Sequence, residues 1–235
     1  MLCMDRVAST LSGSVRTRRL PLVVLGAFVS LVVVQGCSPS TATLPAVVGV
    51  RSTVDTTYYE AEGRDRREWF VSMRTAARLA GVPAPYLAYT SSQTRWSYAS
   101  SRMTPRGCTP SVPLIELTIR YTMPRVVGDS TVPEEEWREW RRYLVSLWRH
   151  EEGHAVRAMR ESAEIRDSLT RARTPSCGVL GASVSRAQAA VRSKHRALQV
   201  RYDSLTRHGA RQGALFILPG VTQVSVDTTY RDTIP

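Results

Sequence analysis

Two histidines and a glutamate near the middle of the chain have the spacing of a zinc-binding motif. His150, Glu151 and His154 belong to the pattern HEEGH, in which the histidines are four residues apart. On an α-helix, residues four apart lie on one face, so both imidazoles can reach a single metal ion at about 2.0 to 2.1 Å. Glu151 lies about 100° round the helix, near enough to reach a water on that metal without ligating it. The spacing therefore indicates HExxH chemistry, in which zinc activates water and the glutamate acts as general base for peptide hydrolysis.

The flanking sequence predicts that the motif lies inside a long helix. Apolar residues recur at three- and four-residue steps over 137–163, and residues 131–134 match a capping box with Thr131 as N-cap. Within the motif, Glu152 is charged where zinc peptidases usually have an uncharged residue. Gly153 disfavours a helix by about 1 kcal/mol relative to alanine. The glycine indicates a close approach of another segment or of substrate, and the alternative for the whole motif is a solvated polar helix face.

A catalytic zinc site takes three protein ligands and keeps one position open. The motif's own helix cannot supply the third ligand, because Glu161, seven residues past His154, lies about 10 Å further along the axis. Of the four histidines in the chain, the other two are His195 and His208, in or at the end of a predicted last helix. They are 13 residues apart, so at most one of them can face the metal.

The stretch 202–209, YDSLTRHG, is the favoured source of that ligand because it combines an acid, a tyrosine and a histidine at a helix end. His208 is the expected third ligand. Asp203 is the alternative ligand, or else it accepts a hydrogen bond from a histidine ligand without touching the metal. Tyr202 is interpreted either as a phenol donor to the tetrahedral oxyanion or as a core residue. His195 is interpreted as an exposed helix histidine.

Residues 1–36 have the features of a lipoprotein export signal. Arginines at 16–19 precede an apolar run at 20–34, and small residues then lead to Cys37 in a pattern that resembles a lipobox. Cleavage before Cys37 would leave a lipidated cysteine that anchors the protein to a membrane surface. Plain secretion and a retained transmembrane anchor are the alternatives, but the 15-residue apolar run is shorter than the roughly 20 residues that span a bilayer.

The rest of the chain is divided by composition into a tether at 37–53, a domain at 54–213 and a C-terminal tail at 214–235. The tether is rich in Ser, Thr, Pro and Ala. Within the domain, the hydrophobic pattern predicts strands at 56–62, 86–99 and 115–122, and helices at 65–79, 131–169 and 183–207, the last capped by Gly209. The second and third strands are expected to be antiparallel neighbours.

The cysteines agree with an exported protein. Cys3 would leave with the signal and Cys37 would carry lipid, so Cys108 and Cys177 remain as one pair. They are predicted to form a disulfide, because disulfides persist outside the cytoplasm. The alternative is two buried free thiols.

The net charge of +12 does not by itself indicate nucleic-acid binding. Lys194 is the one lysine among 32 basic residues, a skew that fits the codon bias of a GC-rich genome. The arginines are also interleaved with acids, and no nucleic-acid motif accompanies them. No nucleic-acid partner is therefore expected.

Several separate sequence segments resemble those of a bacterial family of predicted secreted zinc-dependent proteases, a domain of unknown function. The resemblance runs from about Val54 to Gln212. It is carried by Thr94, Trp96, Tyr98, Cys108, the stretch IRYTMP at 119–124, Trp137, HEEGH at 150–154, Tyr202, Asp203, Thr206, His208, Gly209 and Gln212. This resemblance implies a zincin-like α+β fold and proteolytic activity.

Together these features predict a lipid-anchored zinc metallopeptidase of the bacterial cell envelope, facing the periplasm or the exterior. Its fold is expected to be α+β and zincin-like, with a small antiparallel sheet, a long helix that bears HExxH and a further C-terminal helix. The cofactor would be Zn²⁺ and the substrate a peptide or protein laid beside the sheet edge. The alternative is a non-enzymatic envelope lipoprotein, a binding or scaffold module with a structural metal site or none.

Overall fold

A computed structural model describes residues 46–128 and 131–220, which form an α+β domain. A small sheet packs against one long helix, with a shorter helix on β1 and a second long helix beside the first. In chain order the elements are β1 (Val50–Glu62), α1 (Arg66–Leu79), β2 (Tyr89–Tyr98), β3 (Ser101–Thr104), β4 (Gly107–Pro110), β5 (Pro113–Val127), α2 (Glu134–Arg171) and α3 (Leu180–Thr206). Single 3₁₀ turns, Cys177–Val179 and Ala210–Gln212, flank α3.

The main sheet is mixed, with the strand order β1-β5-β2. β2 runs antiparallel to β5, with Thr94 opposite Leu117, which confirms the pairing predicted from their alternating patterns. β1 runs parallel to β5, with Val54 opposite Ile119, so the prediction of an antiparallel sheet is wrong for this strand. Alternation along a strand indicates its buried face. The direction of pairing between distant strands depends on the path of the chain between them, here through α1 and β2.

β3 and β4 form a two-stranded hairpin between residues 99 and 115, a stretch for which the sequence predicts no strand. Cys108 on β4 exchanges backbone hydrogen bonds with Thr174, its amide lying 2.7 Å from the Thr174 carbonyl oxygen. The predicted disulfide between Cys108 and Cys177 is present. It fastens the hairpin to the turn that starts α3.

Removal of this disulfide is expected to destabilise the domain. The two cysteines are 69 residues apart in sequence, and the chain-entropy model gives about 4 kcal/mol for a loop of that length. A chain carrying Cys108→Ala and Cys177→Ala should therefore unfold at a lower denaturant concentration, with an equal or steeper slope because its unfolded state is more expanded. An unchanged midpoint would show that the bond contributes nothing to equilibrium stability.

α2 begins two residues later than the capping box predicted. Pro133, not Thr131, is the N-cap residue, and its ψ of 143° is extended. Val132 is 6% exposed and packs in the core, which holds this stretch off the helical path. Helical geometry starts at Glu134, where three glutamates in the first turn interact favourably with the helix dipole.

The core has two parts arranged along α2. The first lies between α1, the sheet and the first part of α2, and includes Trp69, Met73, Ile119, Met123 and Trp140. The second lies between the end of α2 and α3, and includes Cys108, Ile115, Ile165, Leu169, Leu180 and Val184. The motif HEEGH lies on the stretch of α2 that packs in the first part, between the buried Leu147 and Ala155. Its position along the helix is therefore fixed on both sides by packing.

The domain is longer at both ends than the sequence predicted. β1 begins at Val50, so residues 50–53 belong to the sheet and not to the tether. Ala214 and Phe216, assigned to the tail, pack against the core, where the Phe216 ring stacks on Phe70. The predicted signal, the lipidation site Cys37 and tail residues 221–235 lie outside the described residues. Within 46–128 and 131–220, no helix has the length and apolarity needed to cross a membrane.

Candidate metal centre

Three ligand atoms from the two long helices meet in one place. The Nε2 atoms of His150 and His154, both on α2, are 3.3 Å apart. Oδ1 of Asp203, on α3, lies 3.3 Å from His150 Nε2 and 3.0 Å from His154 Nε2. Among the described residues this is the one group of three metal-ligating side chains whose ligand atoms lie this close together.

The spacing and chemistry of these donors fit zinc. Two ligands held at 2.0 to 2.1 Å by a tetrahedral ion are about 3.3 Å apart, which is close to each of the three observed separations. Two imidazole nitrogens and one carboxylate oxygen are also a donor set found in catalytic zinc sites. The side chains are 6%, 16% and 27% exposed for His150, His154 and Asp203. The group is therefore accessible from the side of Asp203 and is not a solvated helix face.

Each histidine is oriented from behind by a glutamine. Nδ1 of His150 is 2.9 Å from Oε1 of Gln212, and Nδ1 of His154 is 2.7 Å from Oε1 of Gln199. The amide nitrogen of Gln199 donates to the carbonyl oxygen of His154 at 3.2 Å, which fixes which end of that amide faces the ring. An amide oxygen accepts the proton on Nδ1, so Nε2 keeps its lone pair toward the ligand group.

Loss of the glutamine acceptor is expected to weaken metal binding. In Gln199→Leu, nothing holds the His154 ring in the tautomer with a free Nε2, and the affinity for zinc should fall by about 10- to 100-fold. Gln199→Glu retains an acceptor oxygen and should keep most of the affinity. Competition with a chromogenic zinc chelator measures both constants. Equal affinities for the leucine variant and the unmutated chain would rule out this role.

Asp203 is held as a carboxylate by the two histidines. Burial alone would raise its pKa, but hydrogen bonds and charge interactions with His150 and His154 outweigh burial and hold the pKa of Asp203 well below its usual range. Burial lowers the pKa of His154, and the contacts with Asp203 and Gln199 reverse this, so that the net shift is upward. The carboxylate supplies the negative charge that a divalent cation requires.

Glu151 lies beside the ligand group, in contact with the sheet. Its side chain is 4% exposed, and the hydroxyl of Thr90 on β2 donates to Oε2 at 2.6 Å. Burial raises the pKa of Glu151, although the Thr90 hydrogen bond and the charges of His154 and His150 act in the opposite direction. A buried carboxyl with a raised pKa, held next to three candidate metal ligands, is of the kind that serves as a general base.

His208 was the expected third ligand, and the geometry favours Asp203 instead. α3 ends at Thr206, and both Arg207 and His208 adopt positive φ values of 50° and 49°, which turns the backbone away from the helical path. The His208 side chain is half exposed, with its Nδ1 3.8 Å from Asp203 Oδ1. Its ring lies 5.0 Å from that of Tyr86. His208 is therefore at the edge of the ligand group and not part of it.

His195 is not exposed, contrary to its interpretation from the sequence. It is 5% exposed and its Nε2 lies 2.8 Å from Oε2 of Glu164. The reason is that α3 packs along α2, which places His195 in the interface between the helices. Its contact is with an acid on α2 and not with the ligand group.

Tyr202 packs behind His150. Its ring stacks on the His150 ring at 5.0 Å between centroids, and its hydroxyl donates to the His150 carbonyl oxygen at 3.1 Å. Arg157 covers the ring, with its guanidinium carbon 3.5 Å from the centroid. Of the two roles that the sequence left open, these contacts support core packing over donation to an oxyanion.

Gly153 allows this contact between the helices. A Cβ atom at Gly153 would lie 2.0 Å from the Tyr202 hydroxyl oxygen and 2.4 Å from its ring carbon Cζ. The close approach predicted from the glycine is thus made by α3. Without this close approach of α3 to α2, Asp203, the residue after Tyr202, would not reach the histidines.

Gly153→Ala is expected to destabilise the domain and weaken metal binding together. Overpacking of this kind costs about 1 to 3 kcal/mol, which exceeds the gain of about 1 kcal/mol in helix propensity. Gly181→Ala is the matched control, because a Cβ on that α3 glycine meets nothing closer than 3.9 Å. Denaturant unfolding and zinc titration test both variants. A stabilised Gly153→Ala chain with unchanged zinc affinity would contradict the packing described.

Two residues of the site had no sequence signal. Thr90 lies on a strand rich in threonine and serine, and nothing in its neighbourhood marks it as the partner of Glu151. Gln199 lies on a helix whose orientation about its axis was not known. Gln212 was noted through the family resemblance, without a role.

The comparisons with known proteins identify a family but no function. The profile of a bacterial protein family of unknown function, DUF922, matches residues 56–209. No curated protein and no solved structure matches the chain. The matched residues run from β1 to the turn after α3 and include the three candidate ligands and Glu151. They cover more than half of the 235 residues, so the chain belongs to DUF922, a family of bacterial proteins of unknown function.

Proposed function

We propose that the chain is a zinc-dependent peptidase with a zincin-like site. The observation that carries the proposal is the convergence of His150, His154 and Asp203 within 4.8 Å, beside the buried carboxyl of Glu151. Two histidines and one carboxylate leave one position on a tetrahedral ion for water or substrate. A structural zinc site would instead be closed by a fourth protein ligand.

Zinc held by these three residues would polarise the scissile carbonyl and lower the pKa of the attacking water. The chain's own residues transfer the proton and orient the groups that take part. Glu151 takes a proton from that water and returns it to the leaving amine, which its raised pKa makes favourable. Thr90 holds the carboxylate in place through its hydrogen bond to Oε2. Gln199 and Gln212 keep the imidazoles in the tautomer that binds the metal.

The substrate is an extended peptide that adds to the edge of β2. In the sheet that the structure describes, β2 pairs with β5 on one side only, and Thr90 of β2 donates a hydrogen bond to Glu151. Main-chain hydrogen bonds to a strand edge bind a peptide without strong demands on its sequence. Thr90 links this edge to Glu151, so the bound strand would pass directly by the general base.

The protein would act outside the cytoplasm, anchored by lipid on Cys37. The export signal at 1–36 and the lipobox support this location, and the disulfide between Cys108 and Cys177 fits an oxidising compartment. The substrates would then be peptides or proteins of the cell envelope or of the surroundings.

The proposal predicts metal-dependent cleavage of unstructured peptides. The zinc-loaded chain, incubated with a mixture of synthetic peptides, should yield fragments that mass spectrometry identifies. Cleavage should stop on addition of 1,10-phenanthroline and return with added zinc. A chain that holds zinc and cleaves nothing would favour the non-enzymatic alternative, an envelope lipoprotein that serves as a binding or scaffold module with a structural metal.

A further inference from the structure

A groove leads away from the ligand group between β2 and α3. It has a volume of about 620 Å³ and is lined by Gln199 at one end and by β2 residues 92–96 along one wall. A second cavity of about 520 Å³ shares Trp96, Arg192 and Arg196 with it and continues along α3. Because Gln199 is bonded to His154, the groove begins next to the metal ligands.

The groove is positively charged. Three arginines, Arg95, Arg192 and Arg196, line it together with one carboxylate, Glu161. Burial raises the pKa of Glu161, while His195, Arg192 and Arg196 act in the opposite direction, so this carboxylate offsets at most one of the three positive charges. The second cavity is lined by Arg192 and Arg196 and by no acidic residue. An anion therefore finds a favourable field along this wall of α3.

Arg192 also limits how far a peptide can pair with β2. Its guanidinium donates to the carbonyl oxygen of Thr94 at 2.9 Å, the position that the amide of an added strand would take. Since outward-facing backbone groups alternate along a strand, Thr90 and Ser92 offer the free positions between the metal ligands and this bond. A substrate strand would pair with these two residues and then meet the guanidinium groups.

The spacing along α3 sets where the arginines meet the substrate. Arg196 lies three residues and Arg192 seven residues before Gln199, which is about 4.5 and 10.5 Å along the helix axis. An extended peptide advances about 3.3 Å per residue. The arginines thus lie roughly one to three substrate residues from the bond held at the metal.

We propose that Arg196 and Arg192 bind a carboxylate of the substrate, placed roughly one to three residues from the cleaved bond, and so make the enzyme selective for acidic peptides. This inference rests on the proposed peptidase function for the direction of the substrate. The carboxylate is either an Asp or Glu side chain or the C-terminus of the peptide, since a guanidinium pairs with both in the same bidentate geometry.

The test uses the full chain and matched sets of peptides that carry Asp, Asn or Lys at each position on both sides of one cleavable bond. Every peptide is made with a free and with an amidated C-terminus, which separates the two sources of the carboxylate. We expect kcat/KM to be about tenfold or more higher for Asp than for Lys at one or two positions on one side of the bond. The preference should be lost in Arg196→Gln and should turn toward Lys in Arg196→Glu. It should be unchanged in Arg186→Gln, on the same helix but outside the groove.

A binding experiment separates this inference from the peptidase function. Fluorescein-labelled versions of the same peptides are titrated into the Glu151→Gln chain and followed by anisotropy. An acidic preference that depends on Arg196 supports the inference even if no peptide is cleaved by the unmutated chain. Binding that is equal for the Asp, Asn and Lys peptides overturns the inference. Cleavage that is equal for all three also overturns the inference, but it supports the peptidase function.

Discussion

Glu151→Gln is expected to abolish peptide hydrolysis while the chain keeps its metal. The amide has the shape of the carboxylate and can still accept the hydrogen bond from Thr90, but it cannot take a proton from water. General acid–base catalysis contributes about 10²- to 10⁴-fold to rates, so kcat should fall by at least that factor. Zinc content, measured by plasma mass spectrometry on the same sample, should be unchanged because Glu151 is not one of the three ligands.

Glu152→Gln provides the matched control for this variant. It removes the same charge one position along α2, at a partly exposed site with no place in the ligand group. Its kcat should stay within a few-fold of the unmutated value. If both variants lose activity equally, or if Glu151→Gln stays active, Glu151 is not the general base.

Asp203→Ala is expected to remove the metal, and His208→Ala to leave it bound. Asp203 supplies the oxygen that lies 3.0 and 3.3 Å from the two histidine nitrogens. Its loss leaves a ligand pair without a negative charge. The affinity for zinc should therefore fall by more than the 10- to 100-fold expected when a residue that only orients a ligand, such as Gln199, is lost. Zinc titration against a competing chelator compares the two variants directly.

The pair of variants decides between the two ligands that the sequence left open. Zinc retained in Asp203→Ala and lost in His208→Ala would restore the ligand expected from the sequence. It would require α3 to rearrange at its end, where His208 is half exposed. Asp203→Asn adds a finer comparison, because the amide oxygen keeps the shape of the ligand without its charge.

Local periodicity was enough to place the two histidines. Their spacing on one helix face depends on α2 alone, and the apolar pattern on either side of HEEGH predicted that helix. The glycine inside the motif also correctly predicted the close approach of another segment. Gly153 disfavours a helix, and the structure shows that the space it leaves is taken by the Tyr202 ring.

The third ligand depended on facts that are not local. Which residues of α3 face α2 follows from how the helices pack, and the sequence showed only that His195 and His208 cannot both face the metal. The helix end decided against His208, because Arg207 and His208 both have positive φ values, and the sequence marked only the following Gly209 as a residue typical of that conformation. The parallel pairing of β1 was missed for a similar reason, since strand direction follows from the path of the chain.

Zinc content of the purified, unmutated chain tests the central claim most directly. The chain is incubated with a small excess of zinc and passed through a desalting column, and metal and protein are then measured in the same fractions. The site of His150, His154 and Asp203 predicts close to one zinc ion per chain. Absence of stoichiometric zinc would contradict the metal centre and, with it, the proposed peptidase.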